Sequence, residues 1–378
     1  MAHYKISDVA EEVKDRENNP SESKYDRFVG LEHYVSGDVE ITHFGSTERL
    51  ESAMKVFKAG DILIARRNVY LKRASTVSFD GLTSGDSIVL RAKDPTIARI
   101  LPFVLNTDDF WDYADQYSDG TMSKRLSPKL LLAYEFDLPD DCLEDFADLL
   151  WAANETRNSY RELLRQTDEL VKSQFIEMFG DPVKNEKGWP VVRLDQVADI
   201  KIGPFGSLLH KDDYVEGGHA LVNPSHICDG KIVIDPKLTV SDKKYQELQS
   251  YALKIGDVVL GRRGEMGRCA VVSENGLICG TGSMIIRAGD EMKPYFLQTI
   301  ISSPAYRRII EDKAVGVTMK NLNASTMSTL TIPKLPLDLQ QQYLALVEQS
   351  DKSKFELKQA IERVTNLMKS LMQQDFAN

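Results

Sequence analysis

DDCLEDFADLLWAANETRNSYRELLRQTDELVKSQFIEMFG, residues 140–180, contains no proline, and its one glycine is the last residue. Apolar or small residues recur at Leu143, Phe146, Leu150, Ala153, Tyr160, Leu164, Thr167, Val171 and Met178, in steps of three and four interrupted by the polar Arg157 and Gln174. On a helix such steps line up as a heptad seam. Pro139 and Asp140 mark its start; Gly180, Asp181 and Pro182 mark its end. Some forty residues of helix extend about 60 Å. A stripe so long and thin needs a partner helix rather than an ordinary globular core. Leu339, Tyr343, Leu346, Ser350, Leu357, Ile361, Val364, Met368 and Leu371 form a similar seam near the end of the chain.

The 378 residues suffice for two domains and a helical spacer, and 42% hydrophobic content is ordinary for a core-building protein. No apolar run has the length of a membrane span, and the first residues lack an apolar signal core, so a cytoplasmic protein is expected. Cys142, Cys228, Cys269 and Cys279 include no C-x-x-C pair and stand apart from the histidines, which argues against a zinc site or a disulfide framework. The net charge of −10 argues at first against nucleic acid, whose binding rests on phosphate neutralisation. Residues 140–180, however, hold 10 Asp+Glu against 4 Lys+Arg, so the acid concentrates on the central helix. A DNA reading must therefore rest on motifs.

The chain repeats itself. Val29-Gly-Leu-Glu-His-Tyr-Val-Ser-Gly37 parallels Val222-Asn-Pro-Ser-His-Ile-Cys-Asp-Gly230. Lys58-Ala-Gly-Asp-Ile-Leu-Ile-Ala-Arg-Arg67 matches Lys254-Ile-Gly-Asp-Val-Val-Leu-Gly-Arg-Arg263, and Ser87-Ile-Val-Leu-Arg-Ala92 falls on Ser283-Met-Ile-Ile-Arg-Ala288 at the same offset. Gly120 and Lys124 fall on Gly316 and Lys320, and Lys172-Ser173 on Lys369-Ser370. Each copy is thus a globular domain followed by a long helix. The simplest geometry is pseudo-two-fold, with antiparallel helices separating two mixed α/β domains. The boundaries fall at 1–139, 140–180, 181–335 and 336–378. Apolar runs at 62–64, 88–90, 258–260 and 284–286 predict strands; residues 4–13, 96–117 and 293–312 predict helices.

The candidate binding residues sit in loops. In Ile202-Gly-Pro-Phe-Gly-Ser207, glycine leaves the backbone open to a phosphate, but the pattern alone favours a plain turn with a buried Phe205. Gly261-Arg-Arg-Gly-Glu-Met-Gly-Arg268 lacks the Gly-Lys-Ser/Thr ending of a P-loop. Its arginines suit guanine edges or phosphates, against the equal alternative of a solvated turn. The first-copy loop, Arg66 to Arg73, keeps the cations but has Asn68 and Leu71 where glycines stand, which indicates a similar role on a differently shaped loop. Gly316-Val-Thr-Met-Lys-Asn-Leu322 and Gly120-Thr-Met-Ser-Lys-Arg-Leu126 offer donors for phosphates, and Asn321 one for a base edge, or each is a surface turn. Asn223-Pro-Ser225 lacks the aromatic of an amino-methyltransferase motif, and Glu356-Leu-Lys358 lies on the last helix without a nuclease's acidic partner. No catalytic constellation assembles.

Together these residues resemble the DNA-specificity subunit of Type I restriction–modification systems. The resemblance spans nearly the whole chain. It rests on Phe28-Val-Gly-Leu-Glu-His33, Ile202-Gly-Pro-Phe-Gly-Ser207, Gly256-Asp-Val-Val-Leu-Gly-Arg-Arg-Gly264, Thr318-Met-Lys-Asn-Leu322 and Ile332-Pro-Lys-Leu-Pro-Leu-Asp-Leu-Gln-Gln341. It implies two target-recognition domains, 1–139 and 181–335, each reading half of a split DNA sequence. It also implies a coiled-coil ruler between them, two methyltransferase subunits and motor-nuclease subunits. S-adenosylmethionine, ATP and Mg belong to those partners, and this chain does no chemistry itself. The residues implied in DNA contact are Arg66, Arg67, Lys72, Arg73, Lys124 and Arg125 in the first copy. In the second they are Phe205, Gly206, Ser207, Arg262, Arg263, Arg268, Thr318, Lys320 and Asn321. Leu143, Leu150, Tyr160, Leu164, Val171, Leu346, Leu357, Ile361, Val364 and Met368 carry the helical seam. The competing readings are a scaffold that binds only protein, favoured by the acidic balance, and a catalytic fragment, disfavoured by the missing motifs.

Overall fold

A computed structural model describes residues 2–120, 123–139, 142–205, 208–264, 266–314 and 321–374. The chain divides into two compact units: Met1–Leu164 with Glu356–Asn378 (unit 1), and Arg165–Phe355 (unit 2). The division falls inside both long helices, Leu143–Phe179 and Leu337–Gln374.

Unit 1 is built on a four-stranded antiparallel sheet in the order Ala10–Glu12, Ser87–Ala92, Ile62–Ala65, Ala74–Thr76. Ile62, Leu63 and Ile64 are all fully buried because the sheet has a core on each face. Ile62, Ile64, Ile88 and Leu90 pack with helices, while Leu63, Ala65 and Val89 pack toward a second, five-stranded sheet. Burial on both faces explains the unbroken apolar run, where a one-sided strand would alternate. Unit 2 repeats the order with Ala198–Ile202, Ser283–Ala288, Val258–Gly261 and Cys269–Val271, again antiparallel. Val258 and Leu260 face one core and Val259 the other. In both units the second sheet contains one parallel pair, Arg27–Val29 with Gly81–Thr83 and His219–Val222 with Ile278–Cys279.

Three predicted helices are corrected. Residues 96–117 form two helices, Pro95–Val104 and Asp108–Tyr117. The Thr107 side chain caps the second by accepting from the Phe110 amide, and the Asn106 side chain donates to the Pro102 and Ala74 carbonyls. Residues 293–312 split into Pro294–Ser302 and Pro304–Lys313, because Pro304 has no N–H to continue the ladder and Ser303 caps the new start. Residues 4–13 hold only one helical turn, Ile6–Val9, between strands Ala2–Lys5 and Ala10–Glu12. Those strands pair with Glu135–Leu138 and Ser87–Ala92, and tertiary pairing overrides the local pattern.

The two long helices pack together within each unit, early residues of one against late residues of the other, hence antiparallel. In unit 1, Phe146, Ala147, Leu150 and Ala153 share a core with Met368 and Met372, joined by the half-buried Leu143, Val364 and Leu371. In unit 2, Phe175 and Phe179 share a core with Tyr343, joined by Val171, Met178, Leu339 and Val347. The rings of Phe175, Phe179, Phe296 and Tyr343 contact in all six pairings at 5.0–6.1 Å. Tyr160, Leu164, Leu346, Leu357 and Ile361 are half-buried. The polar interruption at Arg157 is buried, and the guanidinium donates to Asn154 Oδ1 at 2.7 Å and faces Asp38 at 3.4 Å.

All four cysteines are free, with Cys142 and Cys228 exposed and Cys269 and Cys279 buried. Burial pushes the Cys269 thiol up to about 12 and the Cys279 thiol higher still. Thiolates are the reacting species. Iodoacetamide at neutral pH is therefore expected to modify Cys142 and Cys228 in the native chain, and the other two only after unfolding. Peptide mass spectrometry reads this directly, and fast native labelling of Cys279 would contradict the packing.

Candidate nucleic-acid interface

The two copies converge on one local design. Gly60 and Gly256 adopt φ of +90° and +91°, the left-handed region that glycine enters without strain. The turn brings Asp61 and Asp257 back to accept from the amides of Lys58 and Lys254, each at 2.8 Å. The same carboxylates, both nearly fully buried, each take two hydrogen bonds of 2.7 Å from Arg91 and Arg287. This fork ties the start of strand Ile62–Ala65, or Val258–Gly261, to its neighbour. The far ends of those strands carry the paired arginines.

The backbone around each pair is also matched. The Arg66 amide donates to Asp86 O and its carbonyl accepts from Leu126 N; Arg262 does the same with Gly282 O and Leu322 N. Arg67 forms a bridge with Arg125, and Arg263 with Asn321. Each unit thus brings its arginine loop against the loop ending at Arg125 or Asn321, segments more than fifty residues apart in sequence. Thr318, Lys320, Gly206 and Ser207 lie outside the described residues.

In unit 2, Arg262 is only 3% exposed. Its Nε donates to Asn321 Oδ1 at 3.1 Å, and its guanidinium lies 5.7 Å from the centre of the Phe205 ring. Burial, with the neighbouring Arg263 charge, lowers its pKa, although a guanidinium stays protonated. Arg263 is exposed on the same loop and Arg268 half-buried. Phe205 is 58% exposed, so the buried ring expected of a plain turn is not found. A Cβ on Gly203 would stand 2.0 Å from Gly280 O, and one on Gly280 2.1 Å from Asn223 Oδ1. Only glycine lets these loops close on each other. Asn223-Pro-Ser225 opens the turn Pro224–His226, where His226 Nδ1 lies 2.7 Å from Leu221 O and 3.3 Å from the Asn223 amide; in unit 1, His33 Nδ1 accepts from the Gly30 amide at 2.9 Å.

In unit 1 the cations are largely answered by carboxylates. Arg67 and Arg125 share Asp86 at 2.8 and 3.1 Å. Lys124 binds Asp115, and Lys72 binds Asp108, both at 2.6 Å on helix Asp108–Tyr117. Arg66 donates to Leu126 O, and burial and Arg125 lower its pKa. Arg73 donates to Leu31 O and Arg67 O. Arg66, Arg67, Arg73 and Arg125 therefore stand together, while Lys72 and Lys124 are turned to the helix. Sequence reading missed Asp86, Asp108 and Asp115. Position 86 falls on Gly282 in the second copy, so the repeat carries no signal for it.

The family model described as the Type I restriction modification DNA specificity domain matches residues 186–365. Among solved structures, one described as the structural basis of complex assembly and conformational transition of the type I R-M system is 18% identical to this chain. That match covers 99% of this chain and 97% of the other, at a TM-score of 0.58. The S subunit of a Type-I restriction-modification system from M. genitalium is 13% identical, covering 100% and 96%, at a TM-score of 0.56. These two matches show a shared fold over the full chain. No curated protein matches the sequence. Among the described residues, no helix is long and apolar enough to cross a membrane.

Proposed function

We propose that this chain, which belongs with the DNA-specificity subunits of Type I restriction–modification systems, reads a two-part duplex target with its two copies, residues 1–139 and 181–335. The observation that carries the reading is the recurrence, in both units, of an arginine pair that ends a strand whose start is tied by a buried Asp–Arg fork, and that is set against a second polar loop. A fixed guanidinium suits a guanine edge or a phosphate better than a mobile one, because less conformational freedom is lost on contact. The paired long helices act as the spacer and, through the acidic central helix, as the seat of protein partners. Two methyltransferase subunits use S-adenosylmethionine to modify adenines at the target, and motor-nuclease subunits use ATP and Mg. This chain contributes recognition and no catalytic group.

The test is duplex binding by the chain assembled with its methyltransferase partner. Arg262→Ala/Arg263→Ala is expected to lose about 1–3 kcal/mol for the cognate duplex. Relaxed selectivity at one base position identifies base contact, whereas even weakening with a salt slope lower by about one identifies phosphate. Unchanged cognate affinity would remove this loop from the interface. If the assembled chain binds no duplex at low salt, the protein-only scaffold reading takes its place.

A further inference from the structure

The loop after the unit 1 arginine pair is built on one helical turn, Val69–Leu71. Both flanks are left-handed: Asn68 has φ 56° and Lys72 φ 47°. The corresponding unit 2 loop has its left-handed residues at Gly264 and Gly267, both at φ +77°. Asn68 thus keeps the conformation of the glycine it replaces, whereas Leu71 does not, and the second left-handed position moves on to Lys72. Asparagine tolerates that region; lysine enters it only when its surroundings hold it there.

The surroundings do hold it. Val69 is 1% exposed and part of the helix-side core. The Asn68 amide donates to Lys124 O at 3.0 Å, and its side-chain oxygen accepts from the Ser123 hydroxyl at 2.9 Å. Arg73 clamps the other side, donating to Leu31 O and Arg67 O, each at 3.1 Å. The side chain this braced turn carries outward is Tyr70. At 66% it is the most exposed large apolar side chain among the described residues. At the matching place in unit 2, Met266 is 2% exposed, and unit 2 exposes Phe205 over Arg262 instead. Unit 1 therefore exposes an aromatic ring on the loop between Arg67 and Arg73, and unit 2 exposes one over Arg262, from a different loop.

We propose that Tyr70 makes ring contact with bases of the first half-site and is a specificity determinant of that domain. The inference rests on the DNA-binding reading and adds to it a residue that none of the charge-based assignments includes. A ring held on a fixed loop loses little freedom on contact, and its faces suit base stacking or a thymine methyl. Arg67, three residues away on the same loop, and Arg125, bridged to Arg67, supply cations that phosphates can take over from their shared Asp86. The ring itself carries no charge, so its contribution separates from theirs by salt dependence.

The experiment uses the methyltransferase-assembled complex, its target duplex identified by methylome mapping, and a random duplex of equal length. Tyr70→Ala is expected to lose cognate affinity about tenfold, a loss in the range for removing one base–aromatic contact. Random-duplex affinity and the salt slope should stay at parental values, because no phosphate contact is removed. Methylome mapping of the variant should show relaxed choice within the first half-site alone. Tyr70→Phe, which keeps the ring, should retain most of the cognate affinity. Unchanged cognate affinity in Tyr70→Ala, or an equal loss on both duplexes, overturns the proposal. A parental complex with no preference between the duplexes overturns the DNA reading itself, whatever Tyr70 does.

Discussion

Arg287→Ala is expected to destabilise unit 2 by about 3–5 kcal/mol, and Arg91→Ala to do the same in unit 1. The partners differ sharply in exposure. The Asp257 and Asp61 side chains are each 2% exposed, whereas Arg287 and Arg91 are 40% and 35% exposed. Among the described residues, removing the arginine leaves the buried carboxylate with the Lys254 or Lys58 amide alone as a hydrogen-bond donor. A buried charge without its counter-ion is the costly outcome, well above the 0–1 kcal/mol typical of a surface pair. Asp257→Ala should cost less, about 2–3 kcal/mol, because the orphaned guanidinium can turn to water. The double variant Asp257→Ala/Arg287→Ala should likewise be more stable than Arg287→Ala alone, since no buried charge remains. Urea unfolding of each variant beside the parent gives these differences. A loss under about 1 kcal/mol in Arg287→Ala would mean that the fork behaves as a surface pair and does not brace the arginine loop.

The fork also shows what a sequence discloses and what it conceals. Its parts were visible as two repeated segments, with Lys58 to Asp61 ending one run and Arg91 closing another, at the same offset from Lys254 to Asp257 and Arg287. Repetition revealed that these residues belong to one design; it carried no information that they touch. The long helices were legible because a heptad pattern is local and sustained. The predicted helix over 96–117 failed at Thr107, where a cap outcompeted continuation, and the helical reading of 4–13 failed because its strand partners lie some eighty and one hundred and thirty residues away. Burial decided the rest. Arg262 sits in a loop that reads equally as a solvated turn yet is enclosed by Asn321 and Phe205, while Phe205 reads as a buried turn residue yet is exposed. The acids that answer the unit 1 cations, Asp86, Asp108 and Asp115, occupy positions outside the repeated motifs, so neither spacing nor repetition pointed to them.

Exchange of residues 181–335 for the corresponding domain of a relative should replace one half of the DNA target completely and leave the other half as it was. Three observations motivate this. The arginine loop and the Asn321 segment close on each other through bonds inside unit 2, so the exchanged segment carries its own recognition surface. The ends of the segment are clamped together, with Val191–Arg193 paired to Thr331–Pro333 and the Lys334 amide donating to Pro190 O at 2.7 Å. Two junctions just outside that pair leave both long helices intact. The remaining requirement is at Phe296, whose ring meets Phe175, Phe179 and Tyr343 of the helices at 5.0–6.1 Å. Replacing a core phenylalanine by alanine costs about 3–5 kcal/mol, so the donor domain should carry an aromatic there. With that contact kept, every base pair of one half-site becomes a mismatch for the exchanged chain. At about 1–3 kcal/mol for each mismatched pair, a few such pairs reduce binding at the parental target to the non-specific level. Methylome mapping of cells carrying the exchanged chain and its methyltransferase partner reads both halves at once. Methylation should vanish from the parental target and appear at a new one that shares its first half. A change in both halves, or retention of the parental target by a folded and assembled chain, would show that recognition is not divided between the two copies.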